Sequence, residues 1–483
     1  MSAMFGGDVN QQTVDAIRNA LAGSVAGDLA KSATTQGIST STGLVGINLE
    51  SPAKNLFPVL SPLRNRFARK ASATGATAVQ WRAITAINAT NVKAGVAEGN
   101  RNSVISTTEV DKTQAYKDFG LDDFVTYDAQ DAARGFMDVR AESSANLLAA
   151  VMVEEEKIIL GGNVTAIGKP ASVTAADTAA DASGSLTAAT TYDYAISALT
   201  LYGYLNGATG HGSADSPDET DGRTGSHATT ASGAGSDAIA LTWPAVRGAV
   251  AYNVFAGTSG GTKYYIATVT ANAYTLLALV GSGHVPNSAD QTADTLSFDG
   301  LIPQMQVSGS GAYFKDMANA TLTSDNAGGI VEIDAMLKFL WDNSRIGVTA
   351  LLVNSQEAMN ITSKIISGGS STAMRWTQSV DANGNVTGGL VADSYLNKFT
   401  APRSIPILIH PYLAPGTILA ISERLPFPRN NVSNPFELDV RREYTQYDWA
   451  PVARKWEYGV YGTECLKVYF PAGCGSIVGV KNG

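Results

Sequence analysis

Along the chain the spacing of apolar positions changes several times, and each change predicts a different kind of element. An amphipathic stretch around Val14 to Leu21 reads as a short helix. The residues up to about 60 are then rich in Ser, Thr and Gly and close on the Pro-punctuated run SPAKNLFPVLSPLRNRF. From Lys70 to Val110, alternating runs such as TAVQWRAITAIN flank the Gly- and Asn-rich tip NATNVKAGVAEGN, which predicts a long β-hairpin. Ordering about 35 residues costs roughly 1–2 kcal/mol each in backbone entropy. An arm and hairpin this poor in large apolar side chains call for burial supplied by a neighbouring chain.

The next segment, YDAQDAARGFMDVRAESSANLLAAVMVEEEKIILGG, has no proline, opens on Asp128-x-x-Asp131 and stops at Gly161-Gly162. Phe136, Met137, Leu147, Leu148, Val151, Met152 and Ile159 recur at helical spacing, predicting one helix of about 30 residues and roughly 45 Å. Composition then shifts. Between Thr165 and Ala293 the alternating sets are Tyr192, Tyr194, Ile196 and Ala198; Ile239, Leu241 and Trp243; Val250, Tyr252 and Val254; and Tyr265, Ala267 and Val269. Turn residues bound each set, the pattern of an antiparallel sandwich. A long polar loop between Gly207 and Gly235 carries His211 and His227.

From Leu301 onward the periods mix. GGIVEIDAMLKFLWD is an amphipathic helix, TALLV a buried strand, and NSQEAMNITSKII a helix opened by an Asn354-x-x-Glu357 capping box. IPILIH and TILAIS read as strands. The run from Phe436 to the C-terminus is rich in aromatics and Arg, with strand-like pieces long enough to return and pair beside the long helix.

At 483 residues the chain exceeds one typical core and implies two or three compact units. Net charge is −9, and residues 165–294, with ten Asp/Glu and four Lys/Arg, carry about −6 of it, which reads as an acidic, exposed segment. Two cysteines, Cys465 and Cys474, can build neither a disulfide framework nor a four-thiol zinc site. The N-terminus lacks a basic region followed by an apolar one, and no stretch approaches the roughly 18 apolar residues of a membrane span. The expectation is a chain made soluble in a reducing cytosol, without membrane contact, in which the sequons at Asn88, Asn163 and Asn319 are ordinary Thr-rich sequence.

Candidate chemistry is sparse. No G-x-x-x-x-G-K-[ST], H-E-x-x-H or G-x-S-x-G occurs, and His211, His227, His284 and His410 are scattered. No catalytic, cofactor-binding or metal-ligating residue is expected, and no cofactor. Glu154, Glu155 and Glu156 occupy consecutive helix positions that point to different sides, so they read as a solvated or salt-bridging face. DANGNVTGG, Asp381 to Gly389, has the oxygen-rich spacing of a cation loop but lacks the closing Glu, and reads as an Asn-Gly turn. Trp81, Arg82 and Lys93 on the hairpin are candidate intersubunit anchors, since Trp and Arg dominate interface hot spots. Arg441, Arg442 and Trp449, amid Tyr444, Tyr447, Arg454, Lys455 and Trp456, are the second candidate set. In an acidic chain without a basic stripe, subunit contact and packing are favoured there over nucleic acid.

Taken in order, a loose arm, a long hairpin, a very long helix, a mixed α/β domain and a β-rich return give an α+β chain. This order resembles the major capsid proteins of tailed bacteriophages, the Hong Kong 97-like fold. The resemblance divides the chain into an N-arm (1–65), an E-loop hairpin (66–112), a P-domain with the spine helix (113–164, 295–327 and 427–483) and an A-domain (328–426). Residues 165–294 would be an inserted domain. There LTWPAVRGAVAYNVFAG looks like the strand pair of a fibronectin type III or bacterial immunoglobulin-like module, and TYDYAISALTLYGYL resembles a late strand placed ahead of it.

The resemblance implies self-assembly of hexamers and pentamers into an icosahedral head shell, with arm and hairpin embracing neighbours and the insert projecting outward. The implied partners are a scaffold or protease, a portal, decoration proteins, and double-stranded DNA held by weak non-specific contact. The implied location is the virion capsid, assembled in the host cytoplasm. Some relatives crosslink a hairpin lysine to an asparagine of another subunit, and Lys93 is the tip lysine here. The rival readings are an encapsulin-like nanocompartment shell, an adhesin or surface-layer protein, and a carbohydrate-active enzyme with an accessory sandwich.

Overall fold

The computed structural model describes residues 60–72, 75–134, 137–178, 184–206, 216–229, 237–367, 379–380, 386–387 and 392–481. The helix expected around Val14, His211 and most of the Asp381–Gly389 turn lie outside them. The chain forms two units. In the first, Met1–Leu56 with Ala133–Met137, the described contact is the Met137 N–H donating to the Ala133 carbonyl at 3.0 Å. All that follows concerns the second, Phe57–Ala132 with Asp138–Gly483.

A short helix, α1 (Pro62–Arg66), starts on a proline whose missing N–H would have no helical partner anyway, and leads into β1 (Ala68–Ala71). The expected hairpin is present as β2 (Ala78–Ile87) and β3 (Thr107–Ala115), antiparallel from the Ala78–Ala115 pair to the Ile87–Thr107 pair, with a bulge at Thr85. After β4 (Lys117–Thr126) come two helices where one was expected: α2 (Tyr127–Ala132) and α3 (Val139–Gly161), of 23 residues and about 35 Å. Gly135 and Asp138 are poor helix formers. Asp138 serves instead as the N-cap of α3, its carboxylate accepting from Ala141 N at 3.2 Å.

Between α3 and Asp294 the chain builds β5 (Thr174–Thr178), β6 (Thr191–Leu199), α4 (Leu201–Asn206), β7 (Arg223–Ala228), β8 (Ala238–Thr242), β9 (Ala251–Thr258), β10 (Tyr264–Val269) and β11 (Ala273–Leu276). These strands make a three-stranded sheet, β11-β8-β5, and a four-stranded one, β10-β9-β6-β7, antiparallel throughout. The inward residues of both, Ile196, Ile239, Leu241, Val254 and Leu276 among them, form one apolar cluster. Trp243 packs edge-on against Tyr252 within it at 5.4 Å. The two ends of the segment meet: Asp294 N donates to the Asn163 carbonyl, and Asn163 Nδ2 to the Thr292 carbonyl, both at 2.9 Å. Its flank is packed on the remainder, since Leu201 and Val250 belong to the central core and Arg247 lies 4.4 Å over the Phe314 ring.

The second half contributes α5 (Leu301–Gln306), β12 (Tyr313–Asp316), α6 (Val331–Ser344), β13 (Ala350–Val353), α7 (Ser355–Ser367), the two-residue strands β14 (Ser379–Val380) and β15 (Val386–Thr387), β16 (Ser394–Leu396), β17 (Ser404–Ile409) and β18 (Ile418–Ile421). The chain closes with β19 (Phe436–Asp448), β20 (Lys455–Val468) and β21 (Gly475–Val478). A six-stranded mixed sheet runs β12-β21-β18-β13-β17-β16. Its middle strands read ALLV and ILAI, apolar at every position, because both faces are covered. Ala350, Leu352, Leu419 and Ile421 point into the central core, while Leu351, Val353, Ile418 and Ala420 point into the core under α6 and α7. The Asn354 cap of α7 is half of what the sequence predicts. Asn354 Oδ1 accepts from Gln356 N at 3.0 Å, but Glu357 turns to Gly416 N, also at 3.0 Å.

The fourth sheet runs β1-β19-β20-β4, with β1 parallel to β19 and the other pairs antiparallel. As expected, the C-terminal strands return beside the long helix: Val125, Tyr458 and Val460 of the sheet pack on Leu147 and Val151 of α3.

Candidate assembly surfaces

The hairpin is anchored at its base and bare towards its tip. At the base, Val79 touches the central core and Trp81 packs edge-on against Tyr469 at 5.5 Å, with its indole N–H buried and without a partner among the described residues. Trp81 is therefore engaged inside its own chain. From Arg82 to Asp111 the described hydrogen bonds and ion pairs close within the hairpin. Arg82 bridges across it to Asp111 at 3.0 Å and Glu109 at 3.3 Å. Lys93 lies exposed at the tip, where its carbonyl accepts from Asn102 Nδ2 at 2.6 Å. Because the bulge at Thr85 adds one residue, Ile84 and Ile87 come to the same face as Arg82. They are 61% and 72% exposed, and Val104 is 90% exposed.

The second candidate set lies on β19 and beyond. Arg441 is exposed where the β19–β20 register shifts, between the Val440–Glu464 and Arg442–Thr463 pairs. Arg442 is exposed too and donates to the Tyr447 hydroxyl at 3.1 Å. Trp449, 45% exposed, stacks on Tyr447 with ring centres 6.1 Å apart and donates its indole N–H to Asp122 at 3.3 Å. Tyr461 gives its hydroxyl to the same carboxylate at 2.8 Å, so Asp122 gathers an aromatic cluster at this end of the sheet. The structure gives the two sets different partners: Arg82 pairs across the hairpin and Trp81 packs on Tyr469, whereas Arg442 is held by Tyr447 and Trp449 by Asp122.

One heavily charged place in the described chain is buried, and it involves the acidic run read above as a solvated or salt-bridging face. Only Glu154 behaves like a solvated residue, 37% exposed and paired with Lys157 at 2.5 Å. Glu155 is fully buried and binds Arg64 Nε and Arg69 Nη1, each at 2.6 Å, and accepts from the Tyr444 hydroxyl. Glu156, also fully buried, accepts from the backbone N–H groups of Leu63 and Arg64 at 2.8 Å and faces His410 Nε2 at 2.7 Å. Arg69 reaches onward to Glu464 of β20 at 2.9 Å. A signal for this existed in the sequence: Glu155 stands four residues from both Val151 and Ile159, inside the apolar stripe of the helix.

Among the described residues no three His, Cys, Asp or Glu side chains are placed to hold a metal ion, and no helix is long and apolar enough to cross a membrane. A cleft of about 480 Å3 opens between α1 and the β13–β17 pair, lined mainly by Leu63, Leu352, Ile407 and Leu408, with His410, held by Glu156, at its rim. Both cysteines are buried, and loss of hydration pushes each thiol up to about 12.

Comparison with known proteins finds distant structural similarity only. No family model and no curated protein matches the chain. Similar solved structures include the capsid of Myoviridae Phage XM1, 9% identical, with a TM-score of 0.43, covering 92% of this chain and 100% of that one. The capsid of the native GTA particle is 8% identical, with a TM-score of 0.41, covering 91% and 96%. Mycobacterium phage Che8 is 9% identical, with a TM-score of 0.39, covering 90% and 97%.

Proposed function

We propose that this chain is a major capsid protein: a non-enzymatic subunit of Hong Kong 97-like fold that self-assembles into the head shell of a tailed double-stranded DNA phage or a related particle. The observation that carries the proposal is the hairpin β2–β3. Its strands reach about 30 Å and, beyond Trp81, hold large apolar side chains in water with no partner among the described residues. A solvated Ile84–Ile87–Val104 surface on an ordered arm is stabilising only when another subunit covers it. Arms that cross between copies multiply modest contacts into a closed symmetric assembly.

In this reading residues 60–65 end the N-arm, the P-domain is the β1-β19-β20-β4 sheet with α3, and the A-domain is the six-stranded sheet with α6 and α7. Residues 165–294 are an insertion of fibronectin type III-like character. The meeting of its ends at Asn163 and Asp294 supports the insertion, and the sheet orders support the type, with β6 and β7 as the late strand pair moved ahead of the Trp-bearing β8. Arg82, Lys93, Arg441, Arg442 and Trp449 are offered as subunit contacts, with Trp81 setting the hairpin's root. Scaffold, protease, portal and decoration proteins, and weakly held DNA, are the partners expected, in the virion capsid.

Expression of the whole chain, size fractionation and electron microscopy of the largest fraction test the proposal. Closed shells of hexamers and pentamers with outward knobs support it. A chain that stays monomeric even with scaffold and portal proteins present refutes it.

A further inference from the structure

Five ionisable side chains from four elements meet in one buried place: Glu155 and Glu156 of α3, Glu464 of β20, Arg64 of α1 and Arg69 of β1. Glu155 and Glu464 share Arg69, and their side chains are 0% and 1% exposed. Glu155 has both oxygens engaged, Oε1 with Arg69 and Oε2 with Arg64 and Tyr444. Glu464 Oε2 accepts from Arg69, while its buried Oε1 meets no N–H or O–H donor among the described residues, and the Glu155 carboxylate stands on the same Arg69 guanidinium. Two carboxyl groups bond each other only when one of them is an acid. With Glu464 ionised, the two cations Arg64 and Arg69 would face three carboxylates, Glu155, Glu156 and Glu464. With one proton bound the charges balance.

We infer that Glu155 and Glu464 hold one proton between them and that this proton is a catch on the segment Pro62–Ala71, clasping it to α3 and β20 while bound and loosening it when removed. The other groups around the pair do not replace that proton. Lys117 of β4 stands opposite Glu464 in the strand register, but its ammonium goes to the Thr295 carbonyl. Glu443 of β19 adds negative charge near Arg69, the Tyr444 hydroxyl is already bound to Glu155, and His410 beyond β17 faces Glu156. The held segment includes β1, the parallel partner of β19, and runs on towards β2, so the catch sets how firmly the hairpin's root is fixed.

Burial, followed by the charge of Glu155, pushes Glu464 well above the usual carboxyl value of 4.5. The closed clasp therefore keeps a proton that the open, hydrated form has released. Its stability is complete below pH 4.5 as far as this group is concerned, and falls as pH rises through the interval up to the raised value. One proton limits that fall to about tenfold per pH unit.

Hydrogen exchange of the full chain from mildly acidic to mildly alkaline pH, corrected for intrinsic exchange, reads the clasp at the amides of Leu63 and Arg64 and along β1. Protection there is expected to fall with rising pH by up to about tenfold per unit, while the amides of α6 keep theirs. Glu464→Gln, neutral at every pH, should abolish the slope. The substitution leaves the His410–Glu156 contact in place, so the difference between the two proteins isolates the pair. A flat profile in the unmodified chain, or an unchanged slope in Glu464→Gln, overturns the inference. Should the variant fail to fold, infrared spectroscopy of the unmodified chain decides: a buried carboxylic-acid carbonyl band present at neutral pH and bleached at higher pH supports the inference, and no such band at neutral pH overturns it.

Discussion

Single residues in this chain differ most in whether their charge is in water. Arg82 and Glu155 are both paired, yet Arg82 is 65% exposed and Glu155 is fully buried. A surface pair exchanges one set of hydrogen bonds for another and is screened, so Arg82→Ala should leave the midpoint of denaturant unfolding where it is. Glu155→Ala removes the carboxylate from the mostly buried Arg64 and leaves Arg69 with Glu464 alone. It should cost about 3 kcal/mol, the low end for breaking a buried pair, because both guanidiniums keep some solvent contact. Parallel urea titrations of the two variants check the contrast, and equal effects would contradict it.

At the scale of elements, the close approach of α3 to the chain returning before α5 depends on two glycines. A Cβ on Gly162 would stand 2.4 Å from the Phe298 carbonyl oxygen, and one on Gly300 2.5 Å from that of Ile158. Gly300 N donates to the Gly162 carbonyl at 2.7 Å, so the backbones cannot part without losing a hydrogen bond. Gly162→Ala should therefore destabilise by about 1–3 kcal/mol, the usual cost of overpacking. Gly281, with nothing within 4 Å of its would-be Cβ, is the control, and Gly281→Ala should be neutral. Thermal unfolding of both variants gives the comparison. The same passage explains why the segment 165–294 is held firmly: its two ends are locked together beside this crossing, and Leu201 and Val250 are packed into the core that α3 and α5 share.

For the whole molecule, folding and assembly draw on different surfaces, which makes them separable. Ile84→Ser combined with Ile87→Ser removes apolar area that the folded chain leaves in water. Circular dichroism and the melting temperature of the subunit should be unchanged. Shell formation should fail, since each isoleucine covered by a neighbour is worth about 1.5–3 kcal/mol per contact. Unimpaired shells from this double variant would remove the hairpin from the assembly mechanism.

Period and composition alone determined many of the elements. The hairpin, β6, β8, β9 and β10 of the two-sheet segment, the amphipathic α6 and the two-sided strands β13 and β18 are legible, because each follows from the local pattern of apolar positions. Tertiary structure decided what the acidic run on α3 does. Glu155 has the same side chain whether it faces solvent or Arg64 and Arg69, and those arginines lie 91 and 86 residues away in sequence. Trp81 likewise became an internal contact only once Tyr469 was folded against it. Local pattern reports how a residue meets water, whereas the identity of a buried charge's partner depends on which distant segments the fold brings together.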